Sequence, residues 1–262
     1  MITAGIDVGS LTAKAIIYDH AFGQVVGRSL LIFQPNPAEA GRQALEQALA
    51  QAGAAQADLA ASTATGYGRV SLPFVTYRIT EISCHARGVH QLLPAVRTVI
   101  DVGGQDSKVT RLDDAGRALD FEMNDRCAAG TGRFLEVMAA ALGVDLPGLS
   151  DLALRAATPA TLSSTCTVFA ESEIVGLLAQ GRDRADLAAG LCNAVAQRVR
   201  ALVQRVGLEK EVAFTGGVAL NAGVRQALAS ALGLSIAVPP DPQLTGALGA
   251  ALLAAERKLS QT

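Results

Sequence analysis

A nine-residue segment occurs twice in this chain, and this internal repeat constrains the fold more than any other feature of the sequence. Residues 6–14 (IDVGSLTAK) align without a gap on residues 100–108 (IDVGGQDSK), with Ile, Asp, Val, Gly and Lys at matching places. Each copy follows a short apolar run, and β-branched residues recur after it. The pattern predicts a strand, a tight glycine turn and a second strand in each copy. We therefore expect two β-hairpins related by duplication.

The tips of these hairpins carry groups that suit a nucleotide. Glycine lets the backbone approach a phosphate closely, and successive turn N–H groups form an anion-binding concavity. A carboxylate at a strand end can hold Mg²⁺ through its waters, so Asp7 and Asp101 are candidate metal-binding and catalytic residues. Two such hairpins could clamp a triphosphate from opposite sides. Either copy alone is better explained by an ordinary β-turn, and it is the aligned pair that favours nucleotide loops. A P-loop enzyme is excluded because no G-x-x-x-x-G-K-[ST] motif occurs.

The candidate nucleotide contacts follow from these two turns. They are Gly9, Ser10, Leu11, Thr12 and Lys14 in the first hairpin, and Gly103, Gly104 and Gln105 in the second. Gln105, which we also take as a catalytic candidate, and Asp106 sit where a side chain could orient an attacking water. A polar hairpin tip explains them equally well. Lys14 is favoured over Lys108 as a phosphate contact, the alternative for both being a solvated strand lysine.

A third glycine turn lies at residues 214–221 (FTGGVALN), between a short apolar strand and a predicted helix that runs through Leu232. A strand–Gly-Gly–helix crossing offers close backbone approach to a base or ribose, with Gly216, Gly217 and Asn221 as candidate contacts, although a plain βα turn also explains it. The order of phosphate loop, phosphate loop and adenosine loop resembles the actin, hexokinase and Hsp70 superfamily of ATPases. That resemblance implies an α/β fold with two ribonuclease-H-like lobes around a nucleotide cleft.

Two of the four cysteines, Cys127 and Cys166, have matched surroundings. Each precedes an apolar pattern at helical spacing, and Ser164 and Thr165 are natural N-caps for the second helix. We expect both thiols in or just before a first helical turn, where N–H groups and the macrodipole favour anions and lower a thiol pKa. Buried inert cysteines, a zinc pair or a disulfide would also explain the spacing. An iron–sulfur cluster usually needs four thiolates, which a twofold dimer would supply.

The remaining candidates carry weaker signals. We interpret Cys84 as a small buried residue and Cys192 as a packing residue inside a helix over 186–206. The three histidines show no metal-ligand spacing of the H-E-x-x-H type, so no catalytic role is assigned to them.

Longer stretches around the cysteines resemble one family. Residues 123–134 (MNDRCAAGTGRF) and 164–173 (STCTVFAESE) are similar to signatures of the 2-hydroxyacyl-CoA dehydratase activators, which group with the BadF/BadG/BcrA/BcrD ATPases of benzoyl-CoA reductases. Residues 65–69 (TGYGR) and 81–86 (EISCHA) are also similar, so the resemblance covers nearly the whole chain. Leu220 departs from it, because a polar residue is expected at that place in the third loop.

The resemblance implies an ATP-driven one-electron donor. It implies a homodimer that shares one [4Fe-4S] cluster on Cys127 and Cys166 of each protomer, and that binds ATP or ADP with Mg²⁺. Reduced ferredoxin or flavodoxin would supply the electron, and a 2-hydroxyacyl-CoA dehydratase would accept it. Three alternatives stay open: the ATPase subunit of a benzoyl-CoA-type reductase, a small-molecule kinase of the same superfamily, and a non-catalytic nucleotide-binding module.

Composition excludes several other classes. Of the 262 residues 50% are hydrophobic and 18% are charged, which argues against disordered and disulfide-dense proteins. A formal net charge of −2 provides no broad basic field for nucleic acid or an anionic membrane. Mean hydropathy is +0.32, yet no uncharged apolar run reaches the roughly 18 residues of a membrane span. The first residues do not resemble a secretory signal, so we expect a cytoplasmic protein.

The repeat also predicts the domain organisation. We expect a first lobe over residues 1–96, a second lobe over residues 97–243 that carries the two paired cysteines, and a C-terminal helix over 244–258 that packs on the first lobe.

Overall fold

The computed structural model of this chain describes residues 1–32, 36–163 and 166–261. It divides into two compact units. The first comprises Met1–Arg97, Leu112–Leu119 and Pro239–Thr262, and the second comprises Thr98–Arg111 and Asp120–Val238.

Strands and helices alternate in the order expected for an α/β protein. The strands are β1 (Ile2–Val8), β2 (Thr12–Asp19), β3 (Gln24–Ile32), β4 (Leu59–Thr65), β5 (Tyr77–Arg78), β6 (Thr98–Val102), β7 (Ser107–Leu112), β8 (Ala118–Asn124) and β9 (Val212–Thr215). The helices that the structure describes are α1 (Pro37–Ala52), α2 (Glu81–Leu92), α3 (Gly132–Ala141), α4 (Leu146–Ala153), α5 (Thr167–Ala179), α6 (Arg184–Val206), α7 (Ala222–Leu232) and α8 (Thr245–Leu259).

The first unit is built on a five-stranded sheet of order β3-β2-β1-β4-β5. Strand β1 runs antiparallel to β2 and parallel to β4. The first predicted hairpin is therefore confirmed, and its central strand is held from both sides.

Helices cover both faces of this sheet because side chains alternate along its strands. Ile6 packs with apolar residues of α1 on one face, whereas Ile16 and Tyr18 pack with α8 on the other. Helix α8 approaches the sheet so closely that a Cβ at Gly5 would stand 2.0 Å from the Ala247 carbonyl oxygen. Only glycine fits at that point of the central strand.

The second unit contains a four-stranded sheet of order β8-β7-β6-β9. Strand β6 is antiparallel to β7 and parallel to β9, which confirms the second predicted hairpin. Buried residues of this sheet and of its helices, including Ile100, Phe134 and Phe214, form one apolar core. Over residues 1–32, 36–163 and 166–261, no helix is long and apolar enough to cross a membrane.

Candidate functional site

The first repeat places an ion pair with a buried carboxylate beneath its turn. Asp7 on β1 lies opposite Lys14 on β2, and Lys14 Nζ donates a hydrogen bond to Asp7 Oδ2 at 3.0 Å. The Gly9 N–H donates to the Thr12 carbonyl at 2.9 Å and closes the turn. The alternative interpretation of Lys14 as a solvated strand lysine is wrong, because its ammonium is held against a buried carboxylate.

The second repeat has the same construction. Asp101 on β6 lies opposite Lys108 on β7, and the Gly103 N–H donates to the Asp106 carbonyl at 3.0 Å. Lys108 Nζ lies 2.5 Å from Asp106 Oδ2 and 3.8 Å from Asp101 Oδ2. Lys108 is buried, so it is not a solvated strand lysine. Both turns are closed by the same hydrogen bond, and each lies next to an Asp–Lys ion pair. The duplication seen in the sequence is therefore also present in the structure.

The turn residues are accessible to differing degrees. Six predicted contacts are half-buried in their turns, namely Gly9, Ser10, Leu11, Thr12, Gly103 and Gly104. Gln105 is exposed at the second tip, whereas the neighbouring Asp106 carboxylate is buried and bound by Lys108. Of the two side chains, only Gln105 is open to a ligand that approaches from solvent.

A second matching pair of turns lies beside the hairpins, and sequence reasoning did not identify it as part of the duplication. Strand β4 ends at Thr65 and is followed by Gly66; strand β9 ends at Thr215 and is followed by Gly216. Both glycines have left-handed backbone, with φ of 79° and 84° respectively. The signal in the sequence was the dipeptide Thr-Gly, in which Thr ends each of these two strands and Gly follows it.

These glycines stand directly against the two aspartates. Thr65 is in register with Asp7, and Thr215 with Asp101. A Cβ at position 66 would lie 2.5 Å from Asp7 Oδ1, and one at position 216 would lie 3.0 Å from Asp101 Oδ1. The same Cβ atoms would lie 2.5 Å from the Val8 carbonyl oxygen and 2.3 Å from the Val102 carbonyl oxygen, so only glycine fits beside either aspartate.

The other residues of the third loop are partly buried and hydrogen-bonded, and partly exposed to solvent. Thr215 Oγ1 donates to Asp101 Oδ1 at 2.9 Å, and Gly217 begins a short 3-10 turn. Asn221 is the N-cap of α7, where its Oδ1 accepts from the Val224 N–H at 2.9 Å. Its side chain is buried, and its Nδ2 has no hydrogen-bond partner among the described residues. Leu220, the residue that departs from the family pattern, is 56% exposed.

The cysteines of the predicted pair are both exposed in the second unit, but only one begins a helix. Cys166 is the N-cap residue of α5. We expected both thiols in or just before a first helical turn, and Cys127 lies further away, in the loop between β8 and α3, four residues ahead of the N-cap Thr131. The reason is a turn at Gly130, whose φ of 87° is incompatible with continuing helix. The predicted N-caps Ser164 and Thr165 lie outside the described residues.

The segment between Cys127 and α3 is hydrogen-bonded to the second hairpin. The Gly132 N–H donates to the Gly103 carbonyl at 2.9 Å, and the Arg133 N–H donates to the Gly104 carbonyl at 2.8 Å. Ser107, the first residue of β7, donates through Oγ to the Gly130 carbonyl at 3.1 Å. The start of α3 and the residues just before it are therefore hydrogen-bonded to the second hairpin.

The other two cysteines are packing residues, as predicted. Cys84 is 0% exposed and Cys192 is 1% exposed. Burial raises the pKa of each thiol to about 12, which keeps them protonated and unreactive near neutral pH. Within the parts of the chain that the structure describes, no group of three or more His, Cys, Asp or Glu side chains is arranged to hold a metal ion.

The sequence of this chain is similar to known proteins over nearly its whole length. The BadF/BadG/BcrA/BcrD ATPase family matches residues 4–254. The activator of lactoyl-CoA dehydratase from Anaerotignum propionicum is 48% identical over 257 residues, covering 98% of each chain. The (R)-2-hydroxyglutaryl-CoA dehydratase activating ATPase of Acidaminococcus fermentans is 46% identical and covers 96% of each chain. One of the benzoyl-CoA reductase subunits of Thauera aromatica is 32% identical, over 98% of this chain and 94% of its own.

Solved structures agree on the fold. The ADPNP-bound activator of the 2-hydroxyisocaproyl-CoA dehydratase from Clostridium difficile superimposes with a TM-score of 0.94 and 42% identity, covering 100% of this chain and 97% of its own. A ROK hexokinase from Thermus thermophilus, at 18% identity and a TM-score of 0.56, shares the fold alone. The predicted fold class, that of the actin, hexokinase and Hsp70 ATPases, is confirmed.

Proposed function

This chain belongs to the BadF/BadG/BcrA/BcrD ATPase family, and from that premise we propose that it is an ATP-dependent one-electron donor that activates a 2-hydroxyacyl-CoA dehydratase. The observation that carries the proposal is the bonding of the Cys127 loop to the second hairpin. The loop that carries the exposed Cys127 thiol leads into the start of α3, which is bonded to the candidate phosphate turn, so one segment would connect nucleotide binding with a redox centre.

The nucleotide is bound by the two hairpins in this proposal. The Gly9 and Gly103 turns supply backbone N–H groups to phosphates, and Asp7 and Asp101 hold Mg²⁺ through its waters. Asp7 and Asp101 are buried residues, at 5% and 6% exposure, and burial restricts the rotamers that their carboxylates can adopt. Mg²⁺ neutralises developing phosphate charge when it is bound. Gln105, exposed at the second tip, is the candidate for orienting the attacking water.

The cluster is bound by Cys127 and Cys166. Both thiols are at the surface of the unit, and thiolates are the ligands that iron–sulfur clusters take. One chain supplies two of the four ligands, and a second copy related by a twofold axis supplies the others. Val168 and Phe169, each 68% exposed beside Cys166, support burial of this region by that second copy. The bound [4Fe-4S] cluster supplies a low-potential electron.

The thiol surroundings favour an anionic centre. Cys166 stands at the N-terminus of α5, where the helix macrodipole stabilises negative charge. Glu173, a residue of the same signature as Cys166, is only half-buried, and it accepts hydrogen bonds from the backbone N–H and Oγ of Ser163 at 2.8 and 2.9 Å. That carboxylate therefore holds the chain at Ser163, which is a structural role.

The electron comes from reduced ferredoxin or flavodoxin and passes to the dehydratase, and both encounters are transient because the donor must be recharged. The ATPase subunit of a benzoyl-CoA-type reductase is the second candidate, supported by the 32% identical reductase chain of Thauera aromatica. The 44 to 48% identity to free-standing activators favours the first.

Iron and acid-labile sulfide on anaerobically purified protein test the proposal. We expect about four irons per dimer, lost in Cys127→Ala and in Cys166→Ala, since each ligand is needed twice per cluster. Cys192→Ala, which removes a buried thiol, is the matched control and should keep its iron. Protein that stays free of iron after anaerobic reconstitution would contradict the electron-donor function, and phosphorylation of a small-molecule hydroxyl would then be the activity to assay.

A further inference from the structure

The two hairpins of the repeat differ in charge at one matching position. Thr12 of the first hairpin corresponds to Asp106 of the second. Both copies carry one aspartate before the turn and one lysine after it. The first hairpin therefore has one carboxylate for one ammonium, whereas the second has two carboxylates for one ammonium.

This difference changes how each lysine is bonded. Lys14 Nζ donates directly to Asp7 Oδ2 at 3.0 Å. Lys108 Nζ donates to Asp106 Oδ2 at 2.5 Å instead, and it lies 3.8 Å from Asp101 Oδ2, which is beyond hydrogen-bond length. The ammonium of the second hairpin is therefore bonded to the additional carboxylate rather than to the aspartate that matches Asp7.

Asp101 is oriented by an uncharged group. Thr215 Oγ1 donates to Asp101 Oδ1 at 2.9 Å. Among the described residues, the matching hydroxyl of Thr65 makes no such bond to Asp7. A hydroxyl fixes a carboxylate without opposing its charge, whereas the ammonium of Lys14 fixes Asp7 and opposes its charge as well.

We infer that the magnesium ion of the proposed nucleotide site is held mainly by Asp101, and that Asp106 is the positioning residue that makes this possible. Mg²⁺ keeps several waters and takes one or two carboxylates together with substrate phosphates, so one oriented aspartate is enough. A cation is attracted most strongly to a carboxylate that no ammonium opposes at contact distance. Because Asp106 holds Lys108, Asp101 is that carboxylate, whereas Asp7 is opposed by Lys14.

The first hairpin then serves the phosphates. Lys14 is bonded to a single carboxylate, and its ammonium has further hydrogens to donate to a phosphate oxygen. Its side chain is 12% exposed, against 4% for that of Lys108, so a ligand reaches it more easily. The inference rests on the proposed nucleotide site and divides its work between the two copies of the repeat.

Substitutions that make the second hairpin like the first test this division. Asp106→Thr introduces the residue that the first repeat has at that place, where it is compatible with a buried Asp–Lys pair. Asp106→Asn removes the charge and keeps the shape of the side chain. Asp7→Asn and Asp101→Asn compare the two carboxylates directly. Asp113→Asn, which removes a carboxylate paired with Arg117 at the β7–β8 turn, is the control.

Two binding measurements on the purified protein report the effects without turnover. The first is the Mg²⁺ concentration needed for half of the melting-temperature rise that a non-hydrolysable ATP analogue produces. The second is the affinity for the same analogue in EDTA, which depends on the phosphate contacts alone. The melting temperature without ligand shows that each variant is folded.

In Asp106→Thr we expect Lys108 to pair with Asp101 as Lys14 pairs with Asp7. The half-saturating Mg²⁺ concentration should then rise about 10-fold, the usual effect of losing an outer partner of a metal ligand. Asp106→Asn should do the same, because the lost charge is the cause. Asp101→Asn should raise the Mg²⁺ concentration at least as much, and Asp7→Asn should raise it less.

Without metal, none of these four variants should bind the analogue more weakly, since each removes negative charge near the phosphates. Asp113→Asn should match the original protein in both measurements.

The inference is overturned unless the Mg²⁺ requirement rises in both Asp106 variants. Equal requirements in Asp7→Asn and Asp101→Asn would also overturn it, as would weaker binding in EDTA by the Asp106 variants, because Asp106 would then support the whole turn rather than the metal. If Asp106→Thr does not fold, Asp106→Asn and the comparison of Asp7 with Asp101 still decide. These outcomes leave the proposed function intact. An original protein whose melting temperature no nucleotide raises would instead contradict the proposed function, and the inference with it.

Discussion

The side chains that matter most at the residue scale are those that support the aspartates. Thr215 illustrates this, because its hydroxyl bonds to Asp101 Oδ1 inside the protein. Both residues are buried, so water replaces this hydrogen bond poorly when one partner is lost. The identity of a residue one strand away therefore determines how well a candidate metal ligand is oriented.

Thr215→Val should destabilise the protein by about 1–3 kcal/mol, since it leaves a buried carboxylate oxygen without its donor. It should also weaken the melting-temperature rise caused by Mg²⁺ and a non-hydrolysable ATP analogue. Chemical denaturation and thermal melting measure the two effects. Thr63→Val is the control: Thr63 Oγ1 is buried without a hydrogen-bond partner among the described residues, so its removal should be neutral or stabilising. Equal losses in both variants would refute this account of Thr215.

At the element scale, helix α3 is hydrogen-bonded to the second hairpin at its N-terminal end. Three hydrogen bonds join the residues before and at the start of α3 to the hairpin, two from backbone N–H groups and one from Ser107. The same loop carries Cys127. The first N–H groups of a helix have no partner within the helix, and in α3 two of them are bound by the hairpin. We therefore expect a change at the hairpin to be felt at the start of α3.

Ser107→Ala should uncouple the nucleotide from the cluster while leaving both in place. Its hydroxyl is the one side-chain bond among the three described contacts, and it holds the Gly130 carbonyl at 3.1 Å. We expect the iron content and the affinity for an ATP analogue to be retained, and the difference in iron-chelation rate between ATP-bound and ADP-bound protein to shrink. Ser230→Ala, on the exposed side of α7, should leave that difference unchanged. An undiminished difference in Ser107→Ala would exclude this bond from the coupling.

At the scale of the whole molecule, the question is what covers the apolar surface beside Cys166. Phe169 and Val168 are each 68% exposed on the first turn of α5. Large apolar side chains at such exposure next to a candidate redox ligand indicate an interface.

Phe169→Asp should convert the proposed dimer to a monomer, because a carboxylate buried without a partner opposes association. The iron should be lost with it, since in the proposed dimer each chain supplies two of the four cluster ligands. Light scattering and iron analysis measure both. Phe22→Asp, at a side chain that is 76% exposed in the first unit, is the matched control and should stay dimeric with its iron. A monomeric original protein that retains four irons would contradict the shared cluster.

The sequence alone determined the fold class, the two hairpins, and the burial of Cys84 and Cys192. Strand and turn patterns are local along the chain, and the two copies of the repeat could be aligned with each other. The two hairpins could therefore be predicted without tertiary information. The duplicated Thr-Gly turns were also visible in the sequence, at residues 65–66 and 215–216, but the match is too short to stand out without the register of the strands.

Only the tertiary structure decided the rest. Cys127 is not at a helix start, because Gly130 turns the chain and α3 uses its first N–H groups on the hairpin. Lys14 and Lys108 are paired with buried aspartates, although a strand lysine gives no sign of its partner in sequence. Gly246 of α8 lies against both His85 and Asp7, and the three residues come from separate parts of the chain. Such contacts depend on how strands and helices pack, and a sequence pattern records only the residues that are close along the chain.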